Sequence, residues 1–281
     1  LTRLGNLVCM VFGSLLVATD RSPDGRHAVA TACELTSRSR GRLTLLEVTG
    51  IHGNEPIPNG RLVAGRRDSK TPELADLARW LGGMIAQCPS DTTELAVAYG
   101  IPGIEIGRVA EERSVDLIVL GRRPRSANHP LLLGEIADAV VRRSPRPVLL
   151  VPPAVSALRR VLVAFDGTDR TFVLSRPAAA LAGVLGAELS VVMVRGADDS
   201  GHSLELARFA DALGAGTGHR PKSRVRAGNP IHEVLAEVEE RRADVLVIGY
   251  RRGGPPKVVG PADIARTLLY SAPSAVMTVP I

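Results

Sequence analysis

The sequence predicts an α/β protein made of two tandem, doubly wound domains, and three observations carry that prediction. Short continuous Val/Leu/Ile runs alternate with segments of helical periodicity. This is the pattern of parallel strands covered on both faces and joined by right-handed crossover helices. The second half of the chain repeats the first. Residues 100–152 align without gaps on 228–280, and sixteen of the 53 positions are identical, among them Gly100/Gly228, Pro102/Pro230, Glu105/Glu233, Asp116/Asp244, Gly121/Gly249, Pro145/Pro273 and Pro152/Pro280. With 281 residues, 45% apolar and 23% charged, the chain is long and apolar enough to bury a core in each copy.

In the first copy the strands read as 15–19, 43–48, 94–99, 117–120 and 148–151, and in the second as 161–165, 189–194, 223–226, 245–248 and 276–279. Early in the chain the offset between copies is 146, which sets LLVATD (15–20) on VLVAFD (161–166) and LTLLEV (43–48) on LSVVMV (189–194). Later the offset is 128, so the first copy carries 146 − 128 = 18 extra residues. They fall in the polar, Gly/Pro-rich IHGNEPIPNGRLVAGRRDSK (51–70), which reads as a surface loop. Two domains follow, 13–152 and 158–281, with a short linker at 152–157. The helices show one apolar stripe each: Ile231, Val234, Leu235 and Val238 in the segment 230–241, and Leu174, Ala178, Leu181, Ala182 and Leu185 in the segment before the second copy's second strand. Pro177 is tolerated only in the first turn of the latter helix.

Composition excludes several classes. The formal charge is +6, but the arginines are interleaved with acids and there are only eight aromatics, so no basic stripe with stacking platforms is available for nucleic acid. Cys9, Cys33 and Cys88 are odd in number and widely spaced, matching neither a disulfide framework nor a zinc site; reduced thiols in a cytoplasmic protein are expected. The apolar stretch 4–18 has no A-x-A site after it and is too short for a comfortable membrane span, so no membrane partner is expected, and residues 1–9 read as an extension upstream of Met10. The chain holds no Gly-x-Ser-x-Gly elbow, no Gly-x4-Gly-Lys-(Ser/Thr) loop and no assembled nucleophile, base and orienting acid; a non-enzymatic protein is expected. GAGTG (214–218) follows a helix and precedes a strand, the reverse of a phosphate motif, and reads as a turn. His232–Glu233 has Ala236 where a second metal-binding histidine would stand, and His129 reads as a loop residue, so no metal is expected.

Ligands of such sheets bind beyond the carboxyl ends of the strands. Asp20, Asp166, Gly121 and Gly249 all stand at those ends. Together with VLVAFDGTD (161–169), RAGNPIHEVLAEVEERRADVLVIG (226–249), VDLIVLG (115–121) and PVLLVP (147–152), they resemble the universal stress protein family, as a tandem of two domains. The resemblance implies two Rossmann-like domains, each with a mainly parallel five-stranded sheet, whose tandem or dimeric partners pair through their last strands. It also implies a stress-response role and, in some members, an ATP site. There, Asp20 or Asp166 would hold the adenosine end and Val48 or Val194 would line the adenine pocket. The phosphates would lie on Gly-x2-Gly-x9-Gly-(Ser/Thr). On that pattern the first copy offers Gly121, Pro124, Gly134 and Glu135; the second offers Gly249, Arg252, Ala262 and Asp263, with Gly260 two residues early.

Neither copy keeps the pattern. Pro124 has no N–H to give a phosphate, a loss of about 1.5–3 kcal/mol for a hydrogen bond to a charged group. Glu135 and Asp263 put a negative charge where a hydroxyl is needed, and at ~5 Å and an effective dielectric of ~20 each repels one phosphate charge by about 3 kcal/mol. Arg122, Arg123 and Arg125 offset this if they turn toward the ligand. The residues also have structural readings: Asp20 and Asp166 cap a helix or order a turn, Val48 and Val194 belong to the sheet core, and Glu135 and Asp263 favour the positive end of a helix dipole. The expectation is a stress-response regulator with a degenerate adenine-nucleotide site, its paired domains forming an interaction module for a homo-oligomer or another protein. The alternative is an ATP sensor with the nucleotide mainly in the first domain, which retains Gly134.

Overall fold

The first apolar run is buried along its whole length and forms β1 (Ser14–Thr19). In the computed structural model, residues 12–49, 62–66, 70–89, 91–122, 134–153, 157–195, 203–253 and 263–281 are described. They divide into two units, 12–153 and 157–281.

In the first unit β1 is followed by α1 (Pro23–Ser39), β2 (Arg42–Thr49), β3 (Leu62–Arg66), α2 (Pro72–Leu81) and a 3₁₀ helix (Gly82–Gln87). Then come β4 (Thr93–Tyr99), α3 (Pro102–Glu112), β5 (Leu117–Gly121), α4 (Glu135–Arg143) and β6 (Val148–Val151). The strand order is β3-β4-β2-β1-β5-β6. Every pair is parallel except β3–β4, which runs antiparallel from Leu62↔Ala98 to Arg66↔Glu94. The second unit contains β7 (Arg160–Phe165), a 3₁₀ helix (Thr171–Leu174), α5 (Ser175–Leu185), β8 (Glu188–Arg195) and α6 (Ser203–Thr217). It continues through β9 (Lys222–Ala227), α7 (Pro230–Glu240), β10 (Val245–Tyr250), α8 (Ile264–Ser271) and β11 (Ala275–Pro280). Its order, β9-β8-β7-β10-β11, is all parallel. Both units thus have the doubly wound, Rossmann-like topology. The chain leaves β1 toward β2 and returns to β5, and leaves β7 toward β8 and returns to β10. The crevice of such a sheet opens where that direction reverses, at the carboxyl ends of β1/β5 and β7/β10.

Helix starts follow local chemistry. Ser22 caps α1 by accepting from the Gly25 amide at 3.1 Å, and Pro23 supplies the first turn. Asn229 does the same for α7, accepting from the Ile231 and His232 amides. The repeat extends to backbone detail. Gly100 and Gly228 both have positive φ, 146° and 139°, and a Cβ on either would meet the glutamate five residues on, Glu105 at 2.9 Å or Glu233 at 3.1 Å. Ser114 and Arg242 share φ 49° after the helix that follows. Asp116 accepts from the Ser14 amide, and its counterpart Asp244 from the Arg159 and Arg160 amides. These identical residues are thereby explained by folding.

Two expectations are corrected. The stretch 51–70 is not wholly a loop: its Leu62-Val63-Ala64 core pairs with the outer edge of β4, so the first sheet has six strands, not five. A β-prone triplet beside an unpaired strand edge satisfies the donors and acceptors that edge exposes. Residues 50–61 and 67–69 of that stretch lie outside the described residues. Second, Cys33 and Cys88 are not separate thiols but a disulfide, with Cα atoms 4.6 Å apart. Their 55-residue separation along the chain hid their proximity, because α1 and the 3₁₀ helix pack together. Cys9 and the extension 1–11 lie outside the described residues, as do linker residues 154–156. Among the described residues no helix is long and apolar enough to cross a membrane.

Candidate functional site

The crevice of the first unit begins at the turn after β1. Asp20 is exposed and its Oδ1 accepts from the Ser22 amide at 3.0 Å. The side chain orders the turn, while the helix cap is Ser22. Between them Arg21 sits at φ 62°, its amide donating to Thr19 Oγ1. Its guanidinium makes a bidentate pair with Glu47 of β2, 2.6 and 2.8 Å, and a third bond to Asp76 of α2 at 2.7 Å. The hydrogen bond from Glu47, with a further contribution from Asp76, holds the Arg21 pKa above its ordinary value despite partial burial. The Arg21 hydrogen bond in turn lowers that of Asp76.

The matching turn of the second unit is built on the same frame. Gly167, φ 82°, takes the place of Arg21. Asp166 Oδ1 accepts from the Thr168 amide at 2.9 Å, from Thr168 Oγ1 at 2.7 Å and from Thr171 Oγ1. Val48 and Val194 are half-buried at the ends of β2 and β8, beyond the fully covered middles of those strands. Both are paired strand residues, Val48 beside Ala98 and Val194 beside Arg226, lying among the half-buried last residues of their strands rather than in the fully buried core.

The glycines closing β5 and β10 are needed for packing. A Cβ on Gly121 would lie 2.8 Å from the Asp24 carbonyl in the first turn of α1, and one on Gly249 would lie 3.2 Å from Ile281 and 3.3 Å from Thr171. Arg122, next in the chain, donates its amide to Val151 and is buried, 9% exposed. Desolvation pulls its pKa down to about 10.

At the head of α4, Gly134 is the capping residue without a side-chain bond, and a Cβ there would meet no atom within 4 Å. Glu135 is exposed as the first residue of the helix. At the head of α8, Asp263 is itself the cap, its Oδ1 accepting from the Arg266 amide at 3.0 Å. Arg123, Pro124, Arg125, Gly260 and Ala262 lie outside the described residues. Arg21, Glu47, Asp76 and Thr171 were missed from sequence. Arg21 alone had a signal, since the 146-residue offset sets it on Gly167.

The sequence model of the universal stress protein family matches this chain twice, over residues 12–152 and 157–280. The chain belongs to the universal stress protein family. It is a tandem member, carrying the family's unit twice. It is similar to a universal stress protein of Synechocystis sp., at 21% identity over 256 residues, covering 84% of this chain and 88% of that one. A universal stress protein of Methanocaldococcus jannaschii is 36% identical over 55 residues, 20% of this chain; the match spans only 34% of that relative's length. The crystal structure of a universal stress protein from Archaeoglobus fulgidus matches with a TM-score of 0.74 at 21% identity, covering 96% of this chain and 98% of that one, and shows the shared fold.

Proposed function

We propose that this universal stress protein is a non-enzymatic, cytoplasmic regulator in which the adenine-nucleotide sites are degenerate and the tandem domains act as an interaction module, for a second copy or another protein. The observation that carries this reading is at the helix heads. Free amides at a helix N-terminus attract a phosphate because they are unpaired and lie at the positive end of the dipole. At α8 the Asp263 carboxylate has already taken the Arg266 amide, so the chain supplies its own anion. At α4 Glu135, one position further into the helix, brings a second carboxylate to the first turn. The adenosine side is likewise engaged from within: Asp166 accepts three hydrogen bonds from its own turn, and Asp20 accepts one.

A second reading, an ATP sensor loaded mainly in the first domain, is favoured by the open space at Gly134 and by the buried cation of Arg122 at the start of the same loop. Native mass spectrometry of freshly purified protein, with a thermal titration against ATP, separates the two. The degenerate reading expects no copurified nucleotide and no rise in melting temperature at millimolar ATP. A ligand at a hundredfold its Kd adds about 2.7 kcal/mol, which such a titration detects. A rise that Asp20→Ala abolishes would install the sensor reading instead, and steady release of ADP would contradict the non-enzymatic one.

A further inference from the structure

We propose that the Cys33–Cys88 bond is a redox-exchangeable clasp, which a dithiol reductant opens to free the 3₁₀ segment from α1 and which reoxidation closes. The two sulfurs sit on elements of unequal firmness. Cys33 lies mid-way along α1, on a face where Ala28, Val29, Ala32 and Leu35 are also buried. Cys88 follows the 3₁₀ helix Gly82–Gln87, of which Gly82, Gly83, Ala86 and Gln87 are exposed. Between Leu81 and Thr93, Cys88 is the buried residue among the side chains described. A further link of the segment to α1 is soft: Arg26 of α1 stands 3.6 Å from Met84 Sδ. A segment whose described side chains are otherwise half-buried or exposed belongs to the low-stability end of a fold, and here a covalent bond fastens it down.

The geometry also supplies a hinge. Gly82 has φ 51°, and a Cβ on Gly82 or Gly83 would meet nothing within 4 Å. Once the bond is cut, rotation there lets Cys88 swing outward while Cys33 stays with its helix. A thiolate of the dithiol attacks Cys88 Sγ, forming a mixed disulfide and expelling the Cys33 thiolate, which takes a proton. The second thiol of the reductant then closes its own disulfide and releases Cys88 as a thiolate, also protonated by solvent. Two electrons pass from the dithiol to the protein disulfide, and the reverse exchange restores the clasp.

The test uses the full chain in dithiothreitol and in its oxidised cyclic form. After denaturation and alkylation, the oxidised protein should carry one label, on Cys9, and protein reduced under native conditions should carry three. By hydrogen exchange, amides 83–88 should exchange about tenfold or more faster after reduction, with β1 and β5 unchanged. Cys33→Ser and Cys88→Ser should show the fast rate in both buffers. Three labels in the oxidised buffer, resistance of the folded protein to the dithiol, or amides 83–88 that keep the oxidised rate after reduction would each overturn the proposal.

Discussion

The turns that end β1 and β7 are one device held in two ways. Both use an aspartate to accept the amide two residues on, and both place the residue between in the left-handed region. Gly167 adopts that conformation freely, whereas a side chain there costs about 1–2 kcal/mol. Arg21 offsets the strain with its bonds to Glu47 and Asp76. The position equivalent to Glu47 in the other unit is Met193, which has no carboxylate to pair with a cation. The backbone is therefore the repeated quantity, and the side chains that stabilise it are free to diverge.

The outer edges of the sheets show the same divergence. β4 is covered by β3. Among the described residues β9 is uncovered and presents Lys222, Arg224 and Arg226, charges that discourage pairing with another strand. Those arginines reach Glu237, whose side chain is fully buried and also pairs with Arg241. At the equivalent position of the first unit stands Val109, equally buried. One unit covers its edge with a further strand and places an apolar residue where the other buries the carboxylate of an ion network.

Breaking that network should have the largest effect. Glu237→Ala takes the shared carboxylate from three guanidinium groups, leaving Arg224 to Glu240 and Arg226 to Glu233 and Glu240, and should destabilise the second unit by about 2–3 kcal/mol through the lost bonds and the space left at a fully buried site, with Val109→Ala acting on the first unit alone; hydrogen exchange resolved by unit would check both. Next comes Arg122→Met, compared with the wild type by urea unfolding across the alkaline range. The pH dependence has a definite sign. With its folded pKa lowered to about 10, Arg122 carries a desolvation cost that is fully present below pH 10. That cost fades as pH rises above 10 toward the ordinary guanidinium value, because there the unfolded chain binds the extra proton, and in Arg122→Met this alkaline gain should vanish. Gly167→Ala should cost about 1 kcal/mol, since alanine brings the strain of Arg21 without its partners. The smallest effect belongs to Asp76→Asn. The Arg21 link lowers the Asp76 pKa, so its stabilisation is present above the ordinary value of 3.8 and is lost as pH falls through the lowered one; the variant should lose that acid-side slope.

Strand positions, the twofold repeat and the paired glycines and aspartates were legible in the sequence because each is written locally, as a run of apolar residues or an exact recurrence. Strand β3 was not, because RLVAG among glycines and prolines becomes a strand only beside the edge of β4. Neither was the disulfide, which depends on how α1 and the 3₁₀ segment meet. The ATP pattern showed that the Asp263 position lacked its hydroxyl. What it could not show was that the carboxylate there would be spent on the helix's own amide.

Isothermal titration of ATP into the wild type and into Glu135→Ser/Asp263→Ser tests this most directly. If the chain's own acids fill the heads of α4 and α8, the wild type gives no heat at millimolar ATP and the hydroxyl variant gains measurable binding. Saturable binding by the wild type that the two substitutions leave unchanged would contradict it.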